Sequence, residues 1–397
     1  MTQQPLAGVV VIDLSHIYNG PYATFLMAMA GAEVIKIEPH GGEHLRIRAG
    51  LGGAALPFAM LNSNKKTVTL NLKSERGRAL LFDMVRKADV VVENFAPGVT
   101  DRLGIGAVAL QEANPRLIYA SSSGYGRSGP YRDYPAMDLT VQAMSGVMSI
   151  TGFPDRPPVK AGPALCDFFA GVHLFGGIMT ALYEREKTGK GRTVEVSMQE
   201  AVYASLSSNL GMYHGSGNTL PPRTGNRHGG LAEAPYNVYP ANDGYIAIIC
   251  NNNRHFFALA DAMGRPELKE DERFRDLKSR IKNIDAVDDV VRAWTVTLPR
   301  SELTRLLLSY RVPHAPVRDL DEVINDPNMH ARGSLKVMEH PEYGKVVLQH
   351  SPIRFDGNPL VPLEPSSRLG AHNAAVYGDW LGLSEAEVDE LTKEKVI

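Results

Sequence analysis

Short apolar runs alternate with helical patterns through the first half of the chain. Runs rich in Val and Ile are typical of buried strands, whereas apolar residues that recur every three to four positions indicate helices. Because strands and helices alternate, we expect parallel strands in a doubly wound α/β domain. The predicted strands are Val9–Leu14, Val34–Glu38, Thr67–Leu72, Val90–Glu93, Leu117–Ser121 and Val194–Met198, and the helices between the early strands are Tyr22–Ala30 and 75–87.

An apolar segment from Phe168 to Tyr183 also has helical periodicity, and Thr188-Gly-Lys-Gly after it is a stop signal. Asp167 therefore lies at or just before a helix N-terminus. Such an aspartate can be an N-cap that accepts hydrogen bonds from the first free N–H groups. It can also be a nucleophile that the helix dipole keeps ionised. The run has 16 residues, which is too short for a membrane span.

The second half of the chain predicts a smaller unit. Residues 214–231 are rich in Gly, Pro, Asn and Thr and indicate a linker. After it we predict a strand at Tyr245–Cys250, helices near 254–263, 285–297 and 300–311, and an extended piece at 312–318. The predicted organisation is a large α/β domain at 1–213, the linker, a small α+β domain at 232–330, and an extended return segment at 331–397 whose C-terminal helices pack on the large domain. Ser384-Glu-Ala-Glu387 is a capping box for the last helix.

Composition excludes several classes of function. The 397 residues are 44% hydrophobic, which is enough for more than one core, and the net charge of −2 gives no reason to expect nucleic acid or an anionic membrane as partner. Cys166 and Cys250 form neither a disulfide framework nor a metal motif. The start MTQQPLAG lacks the apolar core of a signal peptide. We expect a soluble cytoplasmic protein without a metal.

A nicotinamide cofactor is poorly supported by the motifs. The first strand is followed by SHIYNGP, which is not a G-x-G-x-x-G loop. That pattern does occur at Gly124–Gly129, but the polar, proline-containing segment YRDYP follows it instead of a helix.

Ligands of open α/β sheets bind beyond the carboxyl ends of the strands, where three turns carry candidate binding residues. These residues are Ile17, Tyr18 and Asn19 after the first strand, Leu70 and Lys73 after the third, and Asn94, Phe95 and Arg102 after the fourth. Lys73 and Arg102 are also compatible with ordinary solvated surface charges.

Six blocks of the chain resemble, in order, the family III CoA-transferases, or CaiB/BaiF family. This family includes formyl-CoA and carnitine CoA-transferases and, as a divergent branch, the α-methylacyl-CoA racemases. The blocks are LSHIYNGPYATFLMAMAGAEVIKIEP (14–39), NSNKKTVTLNLKSERG (62–77), VVVENFAPGVTDRLG (90–104), the Asp167 segment at 161–198, VPHAPVRDLDEVINDPNMHARG (312–333) and LGAHNAAVYGDWLGLS (369–384).

The resemblance implies a Rossmann-like large domain and an interlocked homodimer. It implies that Asp167 is the catalytic aspartate and that coenzyme A is bound as acyl-CoA by the eight strand-end residues named above. Lys73 and Arg102 would then meet phosphate or adenine, with Phe95 alongside. His228–Leu231 corresponds to a glycine loop that closes over the aspartate in some members, although glycines suit an ordinary linker equally well.

The chain departs from the family at two positions. Met137 stands where formyl-CoA transferase has a tyrosine and the racemases have a catalytic histidine, and Asp138 after it is retained, either to orient a carboxyl group or as a solvated acid. Pro39 replaces an arginine of the formyl enzyme, which leaves His40, Arg46 or Arg48 as substitutes.

The resemblance favours a CoA-transferase that moves CoA from an acyl-CoA to a small carboxylic acid through aspartyl anhydride and aspartyl–CoA thioester intermediates. Backbone N–H groups at the Phe168 helix start are expected to stabilise the oxyanions. Two alternatives stay open: an α-methylacyl-CoA racemase, which would need a second base in place of Met137, and a CoA-binding protein without catalysis.

Overall fold

The computed structural model describes residues 3–48 and 56–397. Two compact units divide the chain. The first contains the residues up to Val141 together with Pro163–Val202 and Ile324–Ile397, and the second contains Gln142–Gly162 and Tyr203–Val323. The sequence-predicted linker at 214–231 lies within the second unit.

The first unit is organised around a six-stranded parallel sheet in the order β3-β2-β1-β4-β5-β6. Its strands are β1 (Val10–Asp13), β2 (Glu33–Glu38), β3 (Lys66–Thr69), β4 (Val90–Glu93), β5 (Ile118–Ser123) and β6 (Thr193–Ser197). The chain order reverses between β1 and β4. This is a Rossmann-like topology, which confirms the predicted α/β class, and the crevice between the carboxyl ends of β1 and β4 is where such sheets bind ligands.

Helices connect the strands and cover both faces of the sheet. In chain order they are α1 (Asn19–Ala28), α2 (His44–Ile47), α3 (Leu56–Asn62), α4 (Glu75–Lys87), α5 (Val99–Arg102), α6 (Ala107–Ala113), α7 (Asp138–Met144), α8 (Val147–Ile150), α9 (Leu165–Thr188), α10 (Met198–Tyr203), α11 (Ser207–Gly215), α12 (Asn253–Ala262), α13 (Leu277–Lys282), α14 (Ile284–Thr295), α15 (Arg300–Ser309), α16 (Leu320–Ile324), α17 (Pro327–Ala331) and α18 (Glu385–Lys393). Two short 3-10 helices occur at Ala204–Leu206 and Pro266–Lys269, and a π-helical segment occurs at Ala374–Trp380.

The core of the first unit has two layers. Successive residues of β1 point to opposite faces, so Val11 belongs to one buried cluster and Ile12 to the other. The Val11 cluster includes Leu174 and Ile178 of α9. By length and composition the 24-residue α9 could cross a membrane, and 44% of its most apolar stretch is buried in the protein, with Leu174 and Ile178 in this core.

The second unit contains an antiparallel sheet in the order β7-β8-β9, formed by β7 (Tyr236–Ala241), β8 (Gly244–Ile249) and β9 (His314–Pro316). Strand β7 was not predicted from the sequence. Its pattern includes Pro240, which breaks a central strand, but β7 lies at the edge of the sheet, where proline is tolerated.

The last part of the chain returns to the first unit. A hairpin of β10 (Leu335–His340) and β11 (Gly344–Gln349) precedes α18, and the predicted capping box between Ser384 and Glu387 is present. Val396 and Ile397 are buried beside residues of α4, and the Asn71 N–H donates to the Val396 carbonyl at 2.8 Å.

Candidate active site

A cavity of about 450 Å³ opens at the carboxyl ends of β1, β4 and β5. It brings Asp167 and Asp138 together with five of the predicted binding residues, Ile17, Asn19, Asn94, Phe95 and Arg102. Its remaining wall is formed by His16, Ala96, Pro97, Ser122, Ser123, Gly124, Tyr125, the segment Arg132–Met137, and Met198.

Asp167 is the third residue of α9 and does not cap it. The N-cap position is Ala164, whose side chain makes no capping hydrogen bond. The cap comes instead from Asp138 at the start of α7, whose Oδ1 accepts hydrogen bonds from the N–H groups of Cys166 at 2.9 Å and Asp167 at 3.4 Å. The N-cap interpretation of Asp167 is therefore wrong, and Asp138 performs that structural role.

The Asp167 carboxyl is almost enclosed, with 7% of the residue exposed. No residue in the described ranges donates a hydrogen bond to this carboxyl group. Burial, followed by the negative charge of Asp138, raises the pKa of Asp167 from 3.8 to about 7. Near neutral pH this side chain therefore exchanges between a protonated and an ionised, weakly solvated form.

The backbone donors at the start of α9 are already in use. Cys166 and Asp167 donate to Asp138, and Phe168 donates to the Ala164 carbonyl at 3.2 Å. The expectation that these N–H groups stabilise an oxyanion is therefore wrong, because they have no free hydrogen to offer to a substrate.

The loop after β1 is fixed by the side chain of Asn94. Asn94 Oδ1 accepts from the His16 N–H at 2.7 Å, and Asn94 Nδ2 donates to the His16 carbonyl at 2.8 Å. Ile17 in this loop has φ of 65°. A left-handed conformation is unusual for a β-branched residue, so the surrounding contacts must hold this loop against local strain.

A buried ionic network holds Ser15, the residue before the same loop, in place. Asp13 Oδ1 accepts from the Ser15 N–H at 2.9 Å, and Asp13 Oδ2 pairs with Lys65 Nζ at 2.9 Å. Lys36 Nζ donates to the Ser15 carbonyl at 2.8 Å. Although burial raises the pKa of Asp13, the opposing charges of Lys65 and Lys36 outweigh that effect and leave this pKa lowered.

Tyr18 does not join the cavity lining. Its ring stacks on Phe168 with a centroid separation of 5.8 Å, among apolar residues that include Leu45 and Phe58. The structure therefore places Tyr18 beside the start of α9 rather than among the other predicted binding residues.

Leu70 and Lys73 line a second cavity of about 370 Å³, which shares His16 and Phe95 with the first. Of the three substitutes considered for the arginine missing at Pro39, only His40 lines this cavity. Arg46 is engaged elsewhere. It pairs with Glu38 at 2.8 Å, and its guanidinium carbon lies 3.9 Å from the centre of the Phe58 ring.

Several wall residues were not singled out from the sequence. The His16 ring lies edge-on to the Phe95 ring with a centroid separation of 5.0 Å, and burial lowers the pKa of His16 to about 4, so it is neutral at pH 7. Tyr125 and Tyr134 are in ring contact at 6.2 Å in the loop after β5. That loop also follows a strand end, so the rule used for the other turns would have found it.

Met137 is 58% exposed and lies on the cavity wall. A methionine side chain at this position cannot exchange a proton.

In the second unit, His228 Nδ1 accepts from the Gly230 N–H at 3.1 Å, which folds the glycine segment into a turn. Among residues 3–48 and 56–397 no group of three or more His, Cys, Asp and Glu could hold a metal ion.

Comparison with known proteins agrees with this architecture over nearly the whole chain. Residues 6–373 match the model of CoA-transferase family III. Acetyl-CoA:oxalate CoA-transferase of Acetobacter aceti is 42% identical over 370 residues, which are 92% of each chain. Formyl-CoA:oxalate CoA-transferase of Streptomyces coelicolor is 37% identical over 414 residues, which are 100% of each chain.

A solved structure shows the same fold. A CaiB/BaiF family protein from Brucella suis superimposes with a TM-score of 0.83 at 33% identity, over 95% of this chain and 100% of the other. These matches confirm the resemblance found in the sequence. The chain belongs to CoA-transferase family III and is an enzyme of the CoA-transferase class.

Proposed function

We propose that this enzyme transfers CoA from an acyl-CoA to a free carboxylic acid through covalent intermediates on Asp167. The observation that supports this most directly is the Asp167 carboxyl itself, which is enclosed, receives no hydrogen bond from a described residue and faces the cavity at the β1–β4 crevice. A weakly solvated carboxylate is a stronger nucleophile than one surrounded by water.

In the first step an ionised Asp167 oxygen attacks the thioester carbonyl carbon. A C–O bond forms, the carbonyl π electrons move to oxygen, and collapse of this oxyanion breaks the C–S bond and releases CoA thiolate. The product is a mixed anhydride between Asp167 and the acyl group. The thiolate then attacks the Asp167 carbonyl, which frees the donor acid and leaves an enzyme–CoA thioester.

The second half reverses these steps with another acid. The acceptor carboxylate attacks the Asp167 thioester, giving a second anhydride and CoA thiolate, and the thiolate attacks the acceptor carbonyl. The new acyl-CoA leaves and the Asp167 carboxylate is restored. Every step exchanges activated carboxyl groups, so the cycle consumes no external energy source.

We infer that coenzyme A occupies the two adjoining cavities. Asn94, Phe95 and Arg102 border the cavity that contains Asp167, and Leu70 and Lys73 border the second. The two positive side chains are suited to phosphate groups, while Phe95, which borders both cavities, offers an aromatic surface. Tyr18 is expected to contribute indirectly, by packing on Phe168.

The acceptor is proposed to be a short dicarboxylic acid. Two relatives are named for transfer to oxalate, and Arg132 on the cavity wall, whose Nε pairs with Asp133 at 3.3 Å, is the cation proposed to meet a second carboxylate. We also propose the interlocked homodimer of the family and a cytoplasmic location. The exposure of Val172 and Tyr183 on α9, 49% and 66%, is consistent with an additional subunit contact.

A racemase is the second candidate, because an aspartate whose pKa lies near 7 is suited to proton transfer. Met137 leaves the opposite side of the α-carbon without a base, which disfavours this reaction.

One experiment separates these functions. The protein is incubated in deuterated water with acetyl-, formyl-, succinyl- or a 2-methylacyl-CoA and a panel of mono- and dicarboxylic acids, and CoA species are analysed by mass spectrometry. A new acyl-CoA that depends on one acid supports the transferase. Deuterium gained at the donor α-carbon without a new thioester would instead establish the racemase. Asp167→Ala should abolish transfer but leave CoA binding nearly intact, and substantial residual turnover would overturn the assignment.

A further inference from the structure

Each attack in this cycle places negative charge on a carbonyl oxygen. A hydrogen-bond donor aimed at that oxygen is usually among the largest contributions to such catalysis. Because the backbone N–H groups of Cys166, Asp167 and Phe168 are occupied, the donor must come from elsewhere on the cavity wall.

The orientation of the Asn94 amide is fixed by the backbone of His16. The His16 N–H can only donate, so the atom of Asn94 that faces it at 2.7 Å must be Oδ1. Asn94 Nδ2 is then the donor toward the His16 carbonyl at 2.8 Å and toward Asn19 at 2.7 Å.

This arrangement also fixes the Asn19 amide. The Asn19 atom that faces both Asn94 Nδ2 and the Gly20 N–H must be an acceptor, so it is Oδ1, at 2.7 and 2.5 Å. Asn19 Nδ2 consequently points away from both groups. Within the described residues it has no acceptor, although Asn19 is only 3% exposed and lines the cavity that contains Asp167.

Packing places Asn19 against α9, one helical turn after Asp167. Gly171 lies four residues after Asp167 and therefore on the same face of α9. A Cβ atom at Gly171 would come within 2.6 Å of the Asn19 carbonyl oxygen, so the two backbones are in direct contact.

We propose that Asn19 Nδ2 donates a hydrogen bond to the oxyanion formed when Asp167 attacks an acyl-CoA thioester. This role rests on the proposed function. The donor stabilises the oxygen while the C–O bond forms and the C–S bond breaks, and thiolate departs with the electrons of the C–S bond. Its proton stays on nitrogen throughout. The amide is neutral, and its orientation is set by Asn94 and Gly20 before substrate arrives, so little reorganisation is needed during the reaction.

The test uses Asn19→Asp and Asn19→Ala. A carboxylate can still accept from Gly20 and Asn94 but has no N–H to donate, whereas alanine removes the side chain without adding charge. The measurements are the single-turnover rate of CoA attachment to Asp167, followed by mass spectrometry, and the Kd for CoA from calorimetry.

We expect both variants to lower the attachment rate and kcat by about 10²–10³-fold, the usual effect of removing one oxyanion donor. The Kd for CoA should change by less than about threefold in the alanine variant, because the lost interaction exists only in the transition state. A structural or CoA-binding role would instead raise KM or Kd with little change in kcat.

Asn114→Asp is the matched control. The Asn114 amide donates to the Val85 and Ala88 carbonyls, each at 2.9 Å, near the amino end of β5 and on the opposite edge of the sheet from the cavity. The Asn114→Asp variant should have a lower Tm and an unchanged rate of CoA attachment to Asp167. Normal attachment in folded Asn19 variants would overturn the proposed role of Asn19 alone. Absence of CoA attachment in the wild-type protein with every donor would overturn the proposed function and this role together.

Discussion

Asp138 caps the helix that presents Asp167, and the two carboxyl groups meet at the same helix end. Asp138 Oδ1 accepts from the Asp167 N–H at 3.4 Å and from the preceding N–H at 2.9 Å. The donors that would normally stabilise an ionised carboxylate at a helix start therefore serve Asp138. Asp167 lies beside that negative charge in a poorly solvated position, which accounts for its raised pKa.

Activity is expected to rise with pH through the titration of Asp167. Only the ionised form can attack a thioester, so kcat/KM should increase up to about pH 7 and then level off. Asp138→Asn should move this rise to lower pH, because it removes the negative charge and keeps an oxygen to cap α9. Measurement of kcat/KM from pH 5 to 9 tests both statements. Loss of activity at every pH would show that Asp138 acts on the substrate directly.

Asp167→Asn is expected to stabilise the protein while it abolishes transfer. The pKa of Asp167 is 3.8 in the reference state and about 7 in the fold, so the native state binds more protons between these values. Stability of the wild-type protein therefore falls as pH rises across this window and stays lower above it.

The increase in the free energy of unfolding caused by Asp167→Asn should be near zero at pH 4 and reach about 2–4 kcal/mol above pH 7. Chemical denaturation at pH 4.5 and 8 measures the difference between the two proteins. An equal effect at both pH values would contradict a raised pKa.

Gly171→Ala should disturb the site through packing alone. The new methyl group would lie 2.6 Å from the Asn19 carbonyl oxygen, so α9 and the start of α1 must separate. We expect the free energy of unfolding to fall by about 1–3 kcal/mol and kcat to decrease. Gly176→Ala, in the same helix but with no atom within 4 Å of the new Cβ, should be neutral or stabilising by up to about 1 kcal/mol. Thermal unfolding and kcat, measured for both variants, test whether the loss is specific to Gly171→Ala.

Lys73→Ala and Arg102→Ala are expected to weaken acyl-CoA binding. Loss of one charge-assisted contact to phosphate costs about 1.5–3 kcal/mol, so the Kd for CoA should rise about tenfold or more, with kcat within about twofold of wild type. Lys190→Ala, in the turn before β6 at the far edge of the sheet, is the control and should leave Kd unchanged. The Kd for CoA is measured by calorimetric titration of each variant. An unchanged Kd in both site variants would identify Lys73 and Arg102 as solvated surface charges.

The sequence predicted the parallel sheet well, because the buried strands are continuous runs such as Val90–Glu93, whose observed bounds are identical. It predicted poorly where a residue acts on a distant one. Nothing in the local pattern indicates that Asp138 would cap a helix that begins at Leu165. Strand β7 was missed because Pro240 is compatible with a strand only at a sheet edge, and edge position is a tertiary property.

The candidate site shows the same contrast. The strand-end rule found Asn19, Asn94 and Phe95, which share one cavity. It could not separate Tyr18, which turns toward Phe168, from its neighbours. The direction of the Asn19 amide depends on hydrogen bonds with the loop after β4, and these exist only once β1 and β4 are adjacent.

The burial of Val396 and Ile397 determines when the first unit can finish folding. Their cluster also contains Ile12 of β1 and Leu81 of α4, so residues more than 300 positions apart must meet to complete it. During synthesis the β-strands around the active site emerge early, but this face of their core cannot close before residues 396 and 397 are available to pack on it. We therefore expect catalytic activity to appear only after residues 396 and 397 have been synthesised and have packed on this cluster.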